Sequence, residues 1–130
     1  MIKLAIIIPA HNEAARIEKT ITAYHEYFDQ PTVRENLKVV FIIVLNGCTD
    51  KTWDVVNKTV EKCSAHNVQM QSIPESGKGR AIRAGFYTAI HSDADIIGFV
   101  DADMATKPEY FDALITAIGD ADGIIASRYM

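Results

Sequence analysis

The sequence predicts an α/β domain of three layers, a mostly parallel sheet of about five strands with helices on both faces. Two observations predict it. Short runs rich in Ile, Val, Leu and Phe alternate along the chain with stretches whose apolar residues recur at helical spacing, the pattern of a parallel sheet covered by its crossover helices. The length, 130 residues, is that of one ordinary domain able to bury a core without staples, so residues 1–130 are read as a single domain.

The first strand is predicted at Leu4–Ile8, with Pro9 ending its ladder. A helix follows in which Ile17, Ile21, Tyr24 and Phe28 share a face behind Asn12 as cap. The second strand is predicted at Leu37–Leu45, and the second helix carries Trp53, Val56, Val60 and Cys63 behind a cap at Thr49 or Asp50. Val68–Ser72 reads as the third strand, and Ile82, Phe86, Ala89 and Ile90 mark the third helix. After a fourth strand at Ile96–Val100, Thr106, Pro108 and Glu109 form a capping box with proline in the first turn. Gly123–Ser127 reads as a fifth strand. Trp53 and the tyrosines fall within the helical patterns and are expected in the core or on its shoulder.

Composition bounds the function. Apolar residues make up 48% of the chain and charged residues 23%, with no repetitive tract, so neither disorder nor fibrous structure fits. The net charge of −4 is spread along the chain without the basic stripe of a nucleic-acid surface. The longest apolar runs, LAIII and VVFIIVL, are too short to cross a bilayer, so no transmembrane segment is expected. Pro9 and the charged residues after it cut off any likeness to a secretory leader. Cys48 and Cys63 stand alone, without metal-ligand spacing, and read as free thiols, so a cytoplasmic location is expected. His25, His66 and His91 have no partners at zinc-ligand spacing, and His11 is the histidine nearest the expected site.

In open parallel sheets ligands gather outside the carboxyl ends of the strands, so the residues following each strand are the candidates. The segment Asp93–Met104 contains Asp-Ala-Asp twice. Asp93 and Asp95 precede their strand and fall at the opposite edge, where a solvated turn is expected. Asp101 and Asp103 follow it, and in extended chain residues two apart point the same way. Such a pair suits Mg²⁺ or Mn²⁺, hard cations that keep several waters and complete their shell with phosphate oxygens. The same spacing also serves a loop that caps the next helix.

SGKGRAIRAG, Ser76 to Gly85, places Lys78 between glycines at a helix start, with Arg80 and Arg83 in the first turns. Cations there oppose the helix dipole, and a bound phosphate reverses that sign with help from the free backbone amides. The segment is no Walker loop, because no Ser or Thr follows Gly-Lys, and the PAHNE after the first strand is no dinucleotide fingerprint. After the second strand, NGCTD offers Gly47 for a tight turn and Asn46 as a planar amide able to pair with a nucleobase edge.

Taken together and in order, IIIPAHNEAARI, VLNGCTDKT, GKGRAIRAG and DADMATKPE resemble the donor-binding half of family 2 glycosyltransferases of GT-A type, the group that includes dolichyl-phosphate sugar synthases. The resemblance covers the whole chain and implies a Rossmann-like nucleotide-diphosphosugar transferase fold. It implies that Pro9, Ala10, Asn12 and Glu13 line the nucleoside pocket, that Lys78 lies near the nucleotide, and that Asp101 approaches the ribose and the metal. Asp103 would be the direct metal ligand, and Arg128, in the terminal ASRYM, would sit near phosphate or acceptor. The implied reaction moves a sugar from a nucleotide diphosphosugar, UDP-linked by preference and GDP-linked as the other candidate, to a lipid phosphate or a saccharide hydroxyl.

Two departures stand out. Where the family carries paired aspartates before the glycine of the second motif, this chain has Leu45 and Asn46, which leaves the base open. The family's acceptor-binding half and catalytic base lie beyond residue 130, so no base is assigned, and a final strand without a neighbour is expected to leave an open edge that invites a homodimer. Two other readings compete, a non-catalytic nucleotide-binding module and a sugar nucleotidyltransferase. The latter would carry a glycine-rich, arginine-containing loop after its first strand, which PAHNEAAR is not.

Overall fold

The computed structural model describes residues 1–124. Among these, four strands form one parallel sheet: β1 (Ile2–Ala10), β2 (Leu37–Asn46), β3 (Val68–Ile73) and β4 (Ile96–Phe99), in the order β3-β2-β1-β4. Five helices accompany them: α1 (Ile17–Phe28), α2 (Pro31–Arg34), α3 (Thr52–Lys62), α4 (Lys78–Ile90) and α5 (Pro108–Ala117). The fifth strand expected at 123–127 is not formed at Gly123 or Ile124, and the rest of it lies outside the described residues. No helix among the described residues is long and apolar enough to cross a membrane.

The strand order explains where a ligand can sit. The chain winds outward from β1 to β2 to β3, then returns through α4 to place β4 on the other side of β1. β1 and β4 therefore flank the point where the winding reverses, and beyond their carboxyl ends a crevice opens. Right-handed crossovers put helices of the two winding directions on opposite faces. On one face Leu4, Ile6, Ile8 and Ala10 of β1 pack with Ile17, Ile21, Tyr24 and Phe28 of α1, Val56 of α3, and Phe111 and Ile115 of α5. On the other, Ala5 and Ile7 meet Ile42, Val44, and Ala81 and Ala89 of α4.

The α4 stripe differs from the expected one. The residues turned inward are Ala81, Gly85 and Ala89, while Ile90 is 63% exposed. Small residues let the helix axis approach the sheet: a Cβ at Gly85 would lie 2.6 Å from Cγ2 of Ile7. Large apolar side chains on this helix sit on the shoulders because its centre has no room for them. Tyr87 and Tyr110 are likewise exposed rather than in the core, and Trp53 is turned partly to solvent while Val56 and Thr59 take the buried side of α3.

Pro9 does not end the β1 ladder, which continues to Ala10 opposite Leu45. The carbonyl of Ile7 accepts from Val100 N on the β4 side, and Pro9, two residues on, faces that same side past the last β4 partner. Its missing N–H therefore costs no bond to β2. The expected helix caps are also rearranged. Asn12 does not cap α1, which starts after Arg16; Lys51 and Lys107 stand at the N-caps of α3 and α5 without side-chain cap bonds, so Thr106 forms no capping box. Pro108 does open α5.

Candidate functional site

Beyond the carboxyl ends of β1, β2 and β4, an open cleft of about 400 Å³ is lined by Pro9, His11, Glu13, Asn46, Ser76, Gly77, Lys78, Asp101, Ala102 and Asp103. Loops far apart in sequence thus meet at one rim. Asp93 and Asp95 lie at the opposite edge, where Asp95 Oδ2 accepts from Lys3 N at 2.8 Å.

Two of the loops are laced to each other. Asn12, at φ 50°, accepts with Oδ1 from the amides of Thr49 (2.8 Å) and Asp50 (3.2 Å). In return Asp50 Oδ2 accepts from Ala14 N, and the buried hydroxyl of Thr52 accepts from Glu13 N at 3.0 Å. Asp50 also accepts from the Thr52 hydroxyl and from Thr52 N, so it does a capping residue's work one place before the N-cap. Those bonds, the hydroxyl's first, hold the Asp50 carboxyl below its usual value of 3.8. Asn12, expected in the nucleoside pocket, is outside the cleft lining and serves as this lace.

Asn46 is 2% exposed and joins three segments. Its Nδ2 donates to Ala10 O at 3.2 Å and its Oδ1 accepts from Gly77 N at 3.1 Å. Its own carbonyl lies 2.7 Å from His11 Nδ1, and since a carbonyl only accepts, that ring nitrogen carries the proton. The amide expected to read a nucleobase thus also holds the ends of β1 and β2 to the start of α4. Gly47 follows at φ 57°, where a Cβ would lie 2.8 Å from Ser76 N. Any side chain there would push this loop off the α4 start. Ala10 is fully buried, and its carbonyl also accepts from Cys48 Sγ at 3.3 Å.

The acidic pair lies on a turn rather than in extended chain. Met104 N donates to Asp101 O at 3.4 Å, and Met104 has φ 64°. Ala102 is buried beneath the turn while Asp101 and Asp103 stand on either side, both at the cleft. Asp103 is exposed, its Oδ1 accepting from Ala105 N at 3.0 Å. Asp101 is half-buried and forms an ion pair through Oδ1 with Lys78 Nζ, which also lies 5.8 Å from the Phe99 ring centroid. Glu13 Oε1 accepts from Arg16 at 2.9 Å, and Arg16 Nε lies 2.7 Å from its buried Oε2, which accepts no hydrogen bond among the described residues.

These residues fit a hard divalent cation. Among the described residues no three His, Cys, Asp or Glu side chains cluster to enclose a metal, so an ion here would draw on two carboxylates and take other ligands from water and phosphate, the usual habit of Mg²⁺ and Mn²⁺. The ammonium of Lys78 already pairs with Asp101, so a divalent ion would compete with it for that carboxylate. Arg80 and Arg83, expected to hold phosphate, are exposed on α4 and outside the cleft lining. Arg128 lies outside the described residues. Thr20, Tyr24 and Thr52 support the site loops, and no motif singles them out; the available signal is a hydroxyl on an otherwise apolar helical stripe.

The profile of glycosyl transferase family 2 matches residues 5–130. A dolichyl-phosphate beta-glucosyltransferase of Trichomonas vaginalis is 35% identical over 113 residues, covering 85% of this chain and 33% of that protein. The Drosophila melanogaster dolichyl-phosphate beta-glucosyltransferase is 30% identical over 119 residues, 90% of this chain and 36% of its own length. The chain thus spans about a third of the curated relatives it matches. Among solved structures, a Pyrobaculum calidifontis mannosyltransferase in complex with GDP-Man and Mn²⁺ superposes with a TM-score of 0.70 at 22% identity, over 91% of this chain and 32% of its own. Glucosyl-3-phosphoglycerate synthase from Mycobacterium tuberculosis, in complex with Mn²⁺, UDP and phosphoglyceric acid, gives 0.63 at 21% identity, over 94% and 40%. Those likenesses identify the fold as GT-A, and the profile match sets aside the sugar nucleotidyltransferase reading. The chain belongs to glycosyl transferase family 2.

Proposed function

We propose that this chain is the donor-binding part of a metal-dependent glycosyltransferase that takes a nucleotide diphosphosugar, UDP-linked by preference and GDP-linked as the alternative, and passes the sugar to a lipid phosphate or a saccharide. The observation that carries the reading is the opposition of Lys78 to Asp101 and Asp103 across one cleft at the β1/β4 reversal point. The names of the relatives favour a lipid-phosphate acceptor, and the Mn²⁺ complexes of the structural neighbours favour Mg²⁺ or Mn²⁺ as cofactor.

Each residue then has a task. Asp101 and Asp103 hold the cation. Lys78 and the free amides at the start of α4 face the diphosphate. Pro9, His11 and Glu13 form the wall on which the nucleoside rests, with Ala10 buried behind it and Glu13 steadied by Arg16. The bound cation supplies charge neutralisation at the departing diphosphate. Glu13 is paired with Arg16, and Asp101 serves the cation, so neither is assigned as the base that takes an acceptor proton. A cytoplasmic location, and a homodimer through an open sheet edge, complete the reading.

A thermal-shift panel of UDP, GDP and CDP, each with and without Mn²⁺, tests it. At about a hundred times its dissociation constant a ligand stabilises the fold by about 2.7 kcal/mol. UDP with Mn²⁺ should raise the melting temperature of the parent and leave Asp103→Ala unmoved. No response to any nucleotide would refute the assignment. Release or transfer of sugar from a labelled donor separates an enzyme from a module that only binds.

A further inference from the structure

Behind the acidic turn, α1 presents three hydroxyls along one face. Thr20, Tyr24 and Tyr27 lie at i, i+4 and i+7, which stacks them on one side of the helix. Thr20 Oγ1 donates to Ala102 O at 2.6 Å, Tyr24 Oη to Thr106 O at 2.6 Å, and Tyr27 Oη to Asp112 Oδ2 at 2.5 Å. The first two acceptors are main-chain carbonyls of the segment that carries Asp101 and Asp103. Thr20 and Tyr24 are both fully buried, and neither lines the cleft.

Packing alone does not require hydroxyls here. Valine and phenylalanine would fill the same space without a polar group to bury. The hydroxyls are matched instead to a backbone that needs holding, because Met104, between the two bonded carbonyls, sits at φ 64° without being glycine. Such a conformation persists only where its surroundings over-determine it. Burial, and then the charges of Glu109 and Asp101, keep the Tyr24 phenol protonated well above its ordinary value, so it stays a donor.

We propose that Thr20 and Tyr24 are positioning residues whose hydroxyls set the height and tilt of the Asp101–Asp103 turn, and through it the affinity of the cleft for a divalent cation. The proposal rests on the donor-and-metal reading above. Carboxylates that must meet one ion have little tolerance for displacement. Without the Thr20 hydroxyl the buried Ala102 carbonyl loses its partner and the turn shifts toward water to find another.

The test compares Thr20→Val, which keeps the shape and removes the donor, with Thr20→Ser, which keeps the donor, and adds Tyr24→Phe as an independent cut. Each variant is first checked for native circular dichroism at the working temperature. Mn²⁺ affinity in the presence of UDP is then read by electron paramagnetic resonance, and amide exchange over residues 102–106 is read without metal. Thr20→Val and Tyr24→Phe should each lose about tenfold in Mn²⁺ affinity, the size of loss seen when groups behind metal ligands are removed, and should exchange faster in the turn. Thr20→Ser should stay close to the parent in both. Folded Thr20→Val or Tyr24→Phe binding Mn²⁺ as the parent does, or Thr20→Ser as weak as Thr20→Val, would overturn the proposal. A parent that takes up no Mn²⁺ would instead overturn the functional reading, and this inference with it.

Discussion

Lys78 and Asp101 meet across the cleft as an ion pair, although they come from the two sides of the sheet's winding reversal. The ammonium therefore competes for the carboxylate that a divalent cation needs. Removing it should act in opposite directions on the two ligands. Lys78→Met should bind Mn²⁺ alone more tightly than the parent, by up to about 1 kcal/mol, the upper range for a partly exposed pair, and should bind UDP more weakly. Calorimetric titration of each ligand separately checks this. Weaker binding of both would mean that Lys78 does not restrain Asp101.

Asn46 clamps the ends of β1 and β2 to the start of α4, so its removal should be felt in stability. Asn46→Ala leaves Gly77 N without its partner and Ala10 O with only the Cys48 thiol, at a cost of about 1–3 kcal/mol. Asn46→Asp keeps the acceptor for Gly77 but loses the donor to Ala10, and should not gain uridine affinity. Urea unfolding and UDP titration of the two variants check both statements.

The small-residue stripe of α4 makes a sharper packing prediction. A methyl at Gly85 would meet Ile7 at 2.6 Å, so Gly85→Ala should destabilise by about 1–3 kcal/mol despite its better helix propensity. The double change Gly85→Ala with Ile7→Ala, which removes the Cγ atoms in the way, should cost less than the sum of the two single changes. Denaturant midpoints measure it.

Stability should fall at both extremes of pH, by different groups. The hydrogen bond to Asp112, followed by burial, pushes the Tyr27 phenol up to about 12 from 10.0, so its stabilising effect is complete below pH 10 and disappears as pH rises through the folded value. The Asp50 carboxyl is held low, so its effect is complete above 3.8 and disappears as pH falls through the folded value. Tyr27→Phe should flatten the alkaline limb of a stability profile, and Asp50→Asn the acid limb.

Much of this fold is legible from residue pattern. Apolar runs such as LAIII and VVFIIVL can only be buried strands, and α1's Ile17, Ile21, Tyr24 and Phe28 are buried as their spacing requires. The α4 stripe is legible only at Ala89, because Ala81 and Gly85 carry little hydrophobic signal and matter through closeness to the sheet. The site shows the same division. Asp101, Asp103, Lys78, Pro9 and Glu13 follow from strand-end position and motif, and the cleft brings them together. The roles of Asn12 and Asn46 depend on partners more than thirty residues away, Thr49, Asp50 and Gly77, which no local pattern reveals. Thr20 belongs to no sequence motif, and only the fold shows its hydroxyl ending on Ala102.

Anomalous diffraction from crystals grown with UDP and Mn²⁺ should show a manganese peak touching Asp103, with Asp101 released from Lys78 and the diphosphate lying between the ion and the α4 start. Manganese bound elsewhere, or a diphosphate seated away from Lys78 and the acidic turn, would contradict the donor-and-metal reading.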